Sequence, residues 1–240
     1  MKNRHILYIA FIIEALLMLG IILLISLRIK DGLYVDRSYN DPIEITFTTL
    51  KISSVVLYFI FGLYFYIRNN KNKIIAKNGL IIIYFFTIII ADIFFSILKI
   101  SLGGIITFLI AYSLIMIFLY KHYIEIIIRV VLFAVGTILL FILNKFTFQS
   151  FITITLAEVL IVNMVISWIR YSKDKNISNL FLSLAVTLAF ISDTFIGIRS
   201  TIKEPKVIND ISSFIIWPTY MMANFMLLCF IHNKKNINSN

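Results

Sequence analysis

LIIIYFFTIIIADIFFSIL, residues 80–98, decides what kind of protein this is. It carries one charge, Asp92, in a run long enough to cross the hydrocarbon core of a bilayer as a helix. Runs of the same kind recur along the whole chain of 240 residues, which is 60% hydrophobic with a mean hydropathy of +0.97. Ordinary soluble domains are about 45–50% apolar. Eight spans follow, at 5–27, 45–67, 78–98, 102–120, 122–143, 148–169, 179–198 and 211–231. Only helices and closed barrels satisfy backbone polar groups in lipid. These runs lack the apolar–polar alternation of barrel strands. The expected fold is therefore all-α, a polytopic bundle of about eight transmembrane helices forming one integral membrane domain.

The first run mimics a secretory leader, but it is too long, contains Glu14 and meets no small-x-small cleavage pattern, so it reads as a retained span. The longer connections are 28–44 and 199–210, and the tail after residue 231 reads as disordered. Of the 22 Lys and Arg, two (Lys51 and Arg129) fall inside spans. The other twenty divide into twelve on the side of the N-terminus and eight opposite. That bias places both termini in the cytoplasm of a cell-membrane protein. The basic residues punctuate apolar runs instead of forming a patch, so the net charge of +10 sets orientation and does not indicate a nucleic-acid partner. A lone cysteine, Cys229, excludes an intrachain disulfide and a multi-cysteine zinc site.

The informative residues are polar ones in apolar surroundings. Asp92 in IIIADIFFSIL and Asp193 in AFISDTFIGI share a pattern of small residue, Asp, any residue, Phe. A charge at the bilayer centre costs about 2.5–3.5 kcal/mol or more, so an intramembrane acid is by default a functional group with a partner. Lys51, in TFTTLKISSVV, falls at the same depth on the predicted spans, about 9 Å below one edge of the hydrocarbon. Two neighbouring carboxylates in a low dielectric share one proton, which supplies a general acid and a general base. The competing reading is that each acid merely bonds a neighbouring helix. Lys51 either holds a lipid phosphate or snorkels to the interface.

Glu14 reads as a group bonded between helices, and Glu158 either lines the same cavity or does likewise. Glu125 and Arg129, four apart on one helix, are expected to pair with each other. Tyr220 and Asn224 share a face of the last span, where Pro218 frees a carbonyl in the preceding turn. His5, His122 and His232 fall at helix ends, too dispersed for a metal centre. No metal and no organic cofactor is expected. Asp92 and Asp193 lie four spans apart, as do Tyr112 and Tyr220, the spacing of a four-plus-four parallel duplication.

Taken in order, these pieces resemble the YhhN-type lysoplasmalogenase family of eight-span membrane proteins. The resemblance covers nearly the whole chain but rests on short motifs. Lys51-Ile52 stands where that family has Lys-Pro, and Ala91-Asp92 where it has Gly-Asp. LAFISDTF keeps the Ser-Asp at Ser192-Asp193. Ala111-Tyr112 replaces Ala-His, and YMMAN, from Tyr220 to Asn224, replaces Tyr-x-x-Ala-Gln. The resemblance implies an intramembrane hydrolase that cleaves the vinyl-ether bond of a lysophospholipid to a fatty aldehyde and a glycerophospho-alcohol. Asp92 and Asp193 would be its acid and base. Lys51, Tyr112, Glu158, Ser192, Tyr220 and Asn224 would surround the substrate. Two other classes use the same residues. One is a small proton-coupled transporter; the other is a membrane lipid-binding protein that has the fold without the reaction.

Overall fold

A computed structural model describes residues 2–30, 42–69, 75–120, 123–201 and 206–233. Eight helices run in order: α1 (Lys2–Lys30), α2 (Pro42–Asn69), α3 (Ile75–Ser96), α4 (Ser101–Leu119), α5 (Ile124–Ile142), α6 (Phe148–Lys173), α7 (Ile177–Thr201) and α8 (Lys206–Asn233). Each is long and apolar enough to cross a membrane, and each coincides with a span expected from the sequence to within a few residues at either end. The chain is a multi-pass integral membrane protein. The centres of the two long connections, His122 and the last seven residues lie outside the described residues.

Short connections are fixed by local chemistry. After α3 the amides of Ile97 and Leu98 both bond the Ile93 carbonyl at 3.0 Å, and Lys99 takes a left-handed conformation, φ 53°, that turns the chain into α4. Asn144, φ 50°, closes α5 in the same way, a position that asparagine tolerates better than most residues. Thr147 then caps α6, its Oγ1 accepting from the Ser150 amide at 3.1 Å while Ser150 Oγ accepts from the Thr147 amide at 2.8 Å.

Six helices close a ring in the order α2, α3, α4, α6, α7, α8, with α8 returning to α2. Outside it, α1 lies against α2 and α8, while α5 packs principally on α6. Helix α8 is the most enclosed of the eight. Its Tyr220, Asn224 and Phe230 reach across to α3 and α4. Aromatic side chains fill the interior: Tyr58 stacks on Phe85 at 6.1 Å, and Phe118 meets Phe230 edge-on at 5.5 Å.

Buried polar side chains tie helices together where lipid offers no alternative partner. Ser54 of α2 donates to Glu14 of α1 at 3.0 Å, in keeping with the bonded reading of that acid. Tyr58 donates to the Met221 carbonyl of α8 at 2.8 Å. Arg129 corrects the sequence reading. It pairs with Glu158 of α6 at 3.4 Å, not with Glu125, and also donates to Asn163 at 2.9 Å. Asn163 in turn donates to the Tyr112 carbonyl of α4 at 3.0 Å. An i, i+4 pair on a lipid-facing helix leaves its charges in hydrocarbon, whereas Glu158 offers Arg129 a partner on the inner side. The ion pair is buried, so losing one member strands the other. Arg129→Leu is expected to destabilise the protein by about 3 kcal/mol, and Arg129→Leu with Glu158→Leu to recover most of that loss. Thermal unfolding of the two variants in detergent measures the difference.

Candidate functional site

A cavity of about 460 Å³ opens among α2, α3, α4, α7 and α8. Its rim includes Glu44, near the start of α2, and Ser96 and Lys99, at the end of α3 and in the following turn. It therefore lies at the face of the bundle opposite the two termini. Asp92 forms part of its inner wall and is only 3% exposed. Tyr220 Oη donates to Asp92 Oδ2 at 2.7 Å, across the bundle from α8 to α3. Lys51 stands on the α2 wall, near enough to Asp92 for their charges to attract. Its Nζ donates to Ser96 Oγ at 2.6 Å and lies 3.8 Å from the centroid of the Trp217 ring. Phe47 stands edge-on to Trp217 at 5.4 Å, which places the ammonium between two aromatic side chains. Phe95 and Phe108 line the remaining apolar wall.

Three of the sequence-predicted residues, Lys51, Asp92 and Tyr220, thus share one cavity. The others do not line it. Asp193 is half-buried as a residue, but both carboxyl oxygens are buried, with no hydrogen-bond partner. It lies close to the Tyr112 side chain and within electrostatic reach of Asp92. The Tyr112 hydroxyl is buried without a bond as well, and the ring packs on Tyr84 at 5.9 Å and on Phe108 at 6.1 Å. Asn224 accepts from Tyr84 Oη at 3.4 Å and donates to the Tyr220 carbonyl at 2.9 Å, so it braces Tyr220 from behind. Ser192 donates to the Ile216 carbonyl at 3.2 Å, fastening α7 to α8 one turn before Tyr220. Glu158 is held apart, in its ion pair with Arg129.

Sequence reasoning missed Glu44, Phe47, Ser96 and Trp217, yet the signal was present. Glu44 and Phe47 precede Lys51 by seven and four residues, one face of α2. Ser96 follows Asp92 by four residues on α3, and Trp217 precedes Tyr220 by three on α8. Each recognised residue pointed along its helix to its own neighbours. The helix turn, not the charge, would have found the rest.

Among the described residues there is no cluster of three or more metal-ligating acids, histidines or cysteines. His232 packs edge-on against Phe65 at 5.0 Å. What the cavity offers is a cation under aromatic rings, a carboxyl group held by a phenol, and an apolar wall. The lining sets two acids, Glu44 and Asp92, beside two cations, Lys51 and Lys99. No family model, curated protein or solved structure matches the chain.

Tyr220→Phe removes the bond that Asp92 accepts and leaves a buried acid unsatisfied, a loss of about 1–3 kcal/mol. Tyr112→Phe removes a hydroxyl that bonds nothing. Melting curves should show a distinctly larger loss for Tyr220→Phe; equal losses would remove the special place given to the Asp92–Tyr220 bond.

Proposed function

We propose that the protein is an intramembrane hydrolase of lysophospholipids, cleaving a vinyl-ether bond to a fatty aldehyde and a glycerophospho-alcohol. The observation that carries this reading is the placing of Lys51 and Asp92 in one cavity with aromatic walls. The resemblance of the short motifs to YhhN-type lysoplasmalogenases supplies the identity of the bond. The cavity lies near one face of the bundle, the depth at which a lysolipid headgroup meets its chain. The headgroup phosphate sits by Lys51, a point charge suited to it. With the N-terminal side of the bundle in the cytoplasm, the cavity faces the outer leaflet.

The reaction needs a carboxylic acid in a water-poor setting. Protonated Asp92 gives its proton to the vinyl carbon remote from the ether oxygen, and the carbon–carbon π pair forms the new C–H bond. The positive charge is shared between the other vinyl carbon and the ether oxygen, beside the carboxylate just formed. Water adds to that carbon and returns a proton to Asp92. The resulting hemiacetal breaks its bond to the glycerol oxygen as its hydroxyl proton passes to that oxygen, so the glycerol part leaves as the alcohol and the carbonyl forms. Water is consumed, the acid is regenerated, and no metal or organic cofactor takes part. Tyr220 orients the Asp92 carboxyl through its hydrogen bond. Asp193 acts at a distance, through its charge.

A second reading, binding without turnover, is favoured by one observation: the Asp193 oxygens lie outside the cavity wall, so two carboxyl groups do not meet across one substrate. Purified protein in detergent separates the two. An enzyme releases aldehyde from lysoplasmalogen with no ion gradient, and Asp92→Asn lowers the rate by about 10²-fold or more while the protein stays folded. A binder is thermally stabilised by the same lysolipid and releases nothing. Wild-type turnover in Asp92→Asn would remove Asp92 from the chemistry.

A further inference from the structure

Two phenylalanines stand in the last turn of α3 and two glycines in the first turn of α4. The tight connection lays Phe94 and Phe95 against Gly103 and Gly104. A Cβ at Gly103 would press on the Phe94 ring at 3.0 Å, whereas one at the buried Gly104 would overlap the Phe95 ring outright. Phe95 thus occupies the space that any other side chain at 104 would need. Glycine inside a helix costs about 1 kcal/mol relative to alanine. Between membrane helices it is used where something must come close to the backbone. Here that something is a ring of the cavity wall. Phe95 follows Asp92 by three residues on one face of α3, and both line the main cavity. Phe95 stands one turn nearer the rim, between Asp92 and Lys99. Its ring meets Phe108 of α4 at 5.7 Å, and Phe108 meets Tyr220, the partner of Asp92, edge-on at 6.2 Å. Asp92 itself is buried, so the ring beside it governs the approach to its carboxyl group.

We propose that Phe95 sets the width of the passage to Asp92, and that Gly104 is the positioning residue that holds it open by seating the Phe95 ring against α4. The effect of residue 104 acts through the ring. With alanine at 104 the seat is filled. The backbone of α4 then closes one side to the ring and Phe108 another, so the ring moves into the cavity it lines, between the rim and Asp92. The seated ring thereby limits the cross-section of whatever reaches the carboxyl group, in either reading of the site. The inference concerns access to Asp92 alone, so it stands or falls separately from aldehyde release.

Dicyclohexylcarbodiimide is a suitable probe, because it reports on a single carboxyl group. The acid adds across one of its C=N bonds, and the acyl group then migrates from oxygen to nitrogen. The product is a stable N-acylurea that peptide mass spectrometry assigns to Asp92. In the purified full chain in detergent, Asp92 should be labelled. Gly104→Ala should slow that labelling about tenfold, because returning the ring to its seat against an added methyl group is overpacking. Gly104→Ala with Phe95→Ala should be labelled at least as fast as the starting protein, since no ring is left to displace. A merely structural glycine would not be rescued in this way. Phe95→Trp overfills the seat without touching α4 and should slow labelling as well. Labelling at the starting rate in Gly104→Ala and Phe95→Trp overturns the inference. So does labelling that stays slow in the double variant, because the obstacle is then not the ring. Absence of label at Asp92 in the starting protein overturns it too, because the passage is then not open.

Discussion

A carboxyl group enclosed by apolar helices must find a partner inside the protein, because lipid supplies none. Asp92 finds Tyr220, on a helix that follows it by 128 residues. That bond joins the third helix to the last across the ring. It also fixes which way Tyr220 faces, and with it the position of Trp217 one turn earlier and of the Lys51 ammonium beneath that ring. Asn224 and Ser192 matter in this frame as supports. One bonds the Tyr220 carbonyl and the other holds the preceding turn of α8 to α7. The polar residues in the eighth span are thus one construction around a single acid, and the cavity is the space left on its outer side.

The ring also has a hidden order. The principal contacts α1–α2, α2–α3, α3–α4 and α4–α6 recur as α5–α6, α6–α7, α7–α8 and α8–α2. The second four helices repeat the arrangement of the first, as a rotation about an axis along the membrane normal would produce. Under that relation Asp92 and Asp193 are counterparts, and each turns toward a tyrosine from the other half: Asp92 toward Tyr220, Asp193 toward Tyr112. The two halves diverge where function would require it. Asp92 is bonded and opens to the cavity, whereas Asp193 is unbonded and closed off. They also diverge at the rim, because α1 packs on α8 while α5 makes no comparable contact with α4. The Arg129–Glu158 pair, with Asn163 behind it, is what fastens α5 to the bundle in place of that contact.

Element type and number were legible because in lipid the hydrophobic run is itself the element, and its length is set by the bilayer. Lys51, Asp92 and Tyr220 were legible because polar groups are costly there. Cost, however, does not say whether a polar residue faces a cavity or a neighbouring helix. Asp193, Ser192, Asn224 and Glu158 satisfy the same rule as Asp92, yet the structure keeps the first three behind the wall and pairs Glu158 with Arg129. Arg129 shows the same limit in another form. Spacing along one helix offered Glu125, but the partner was decided by which side of α5 meets α6. Conversely, Phe47 and Trp217 are ordinary aromatic residues in apolar helices. Only the packing of α2 against α8 turns them into walls around an ammonium group.

What remains is why a charged lysine belongs under those rings at all. A lysine that served only the interface would extend toward water, with its ammonium clear of the bundle. Lys51 instead is buried, bonded to Ser96 of a different helix and set against Trp217. Holding a long side chain in one place costs rotamer freedom, and enclosing its charge costs solvation. A structural tie between α2 and α3 could be made with neither penalty, as Tyr58 and Phe85 show two turns away. The cost is offset where an anion stands within reach, and Asp92 on the facing wall of the cavity is one.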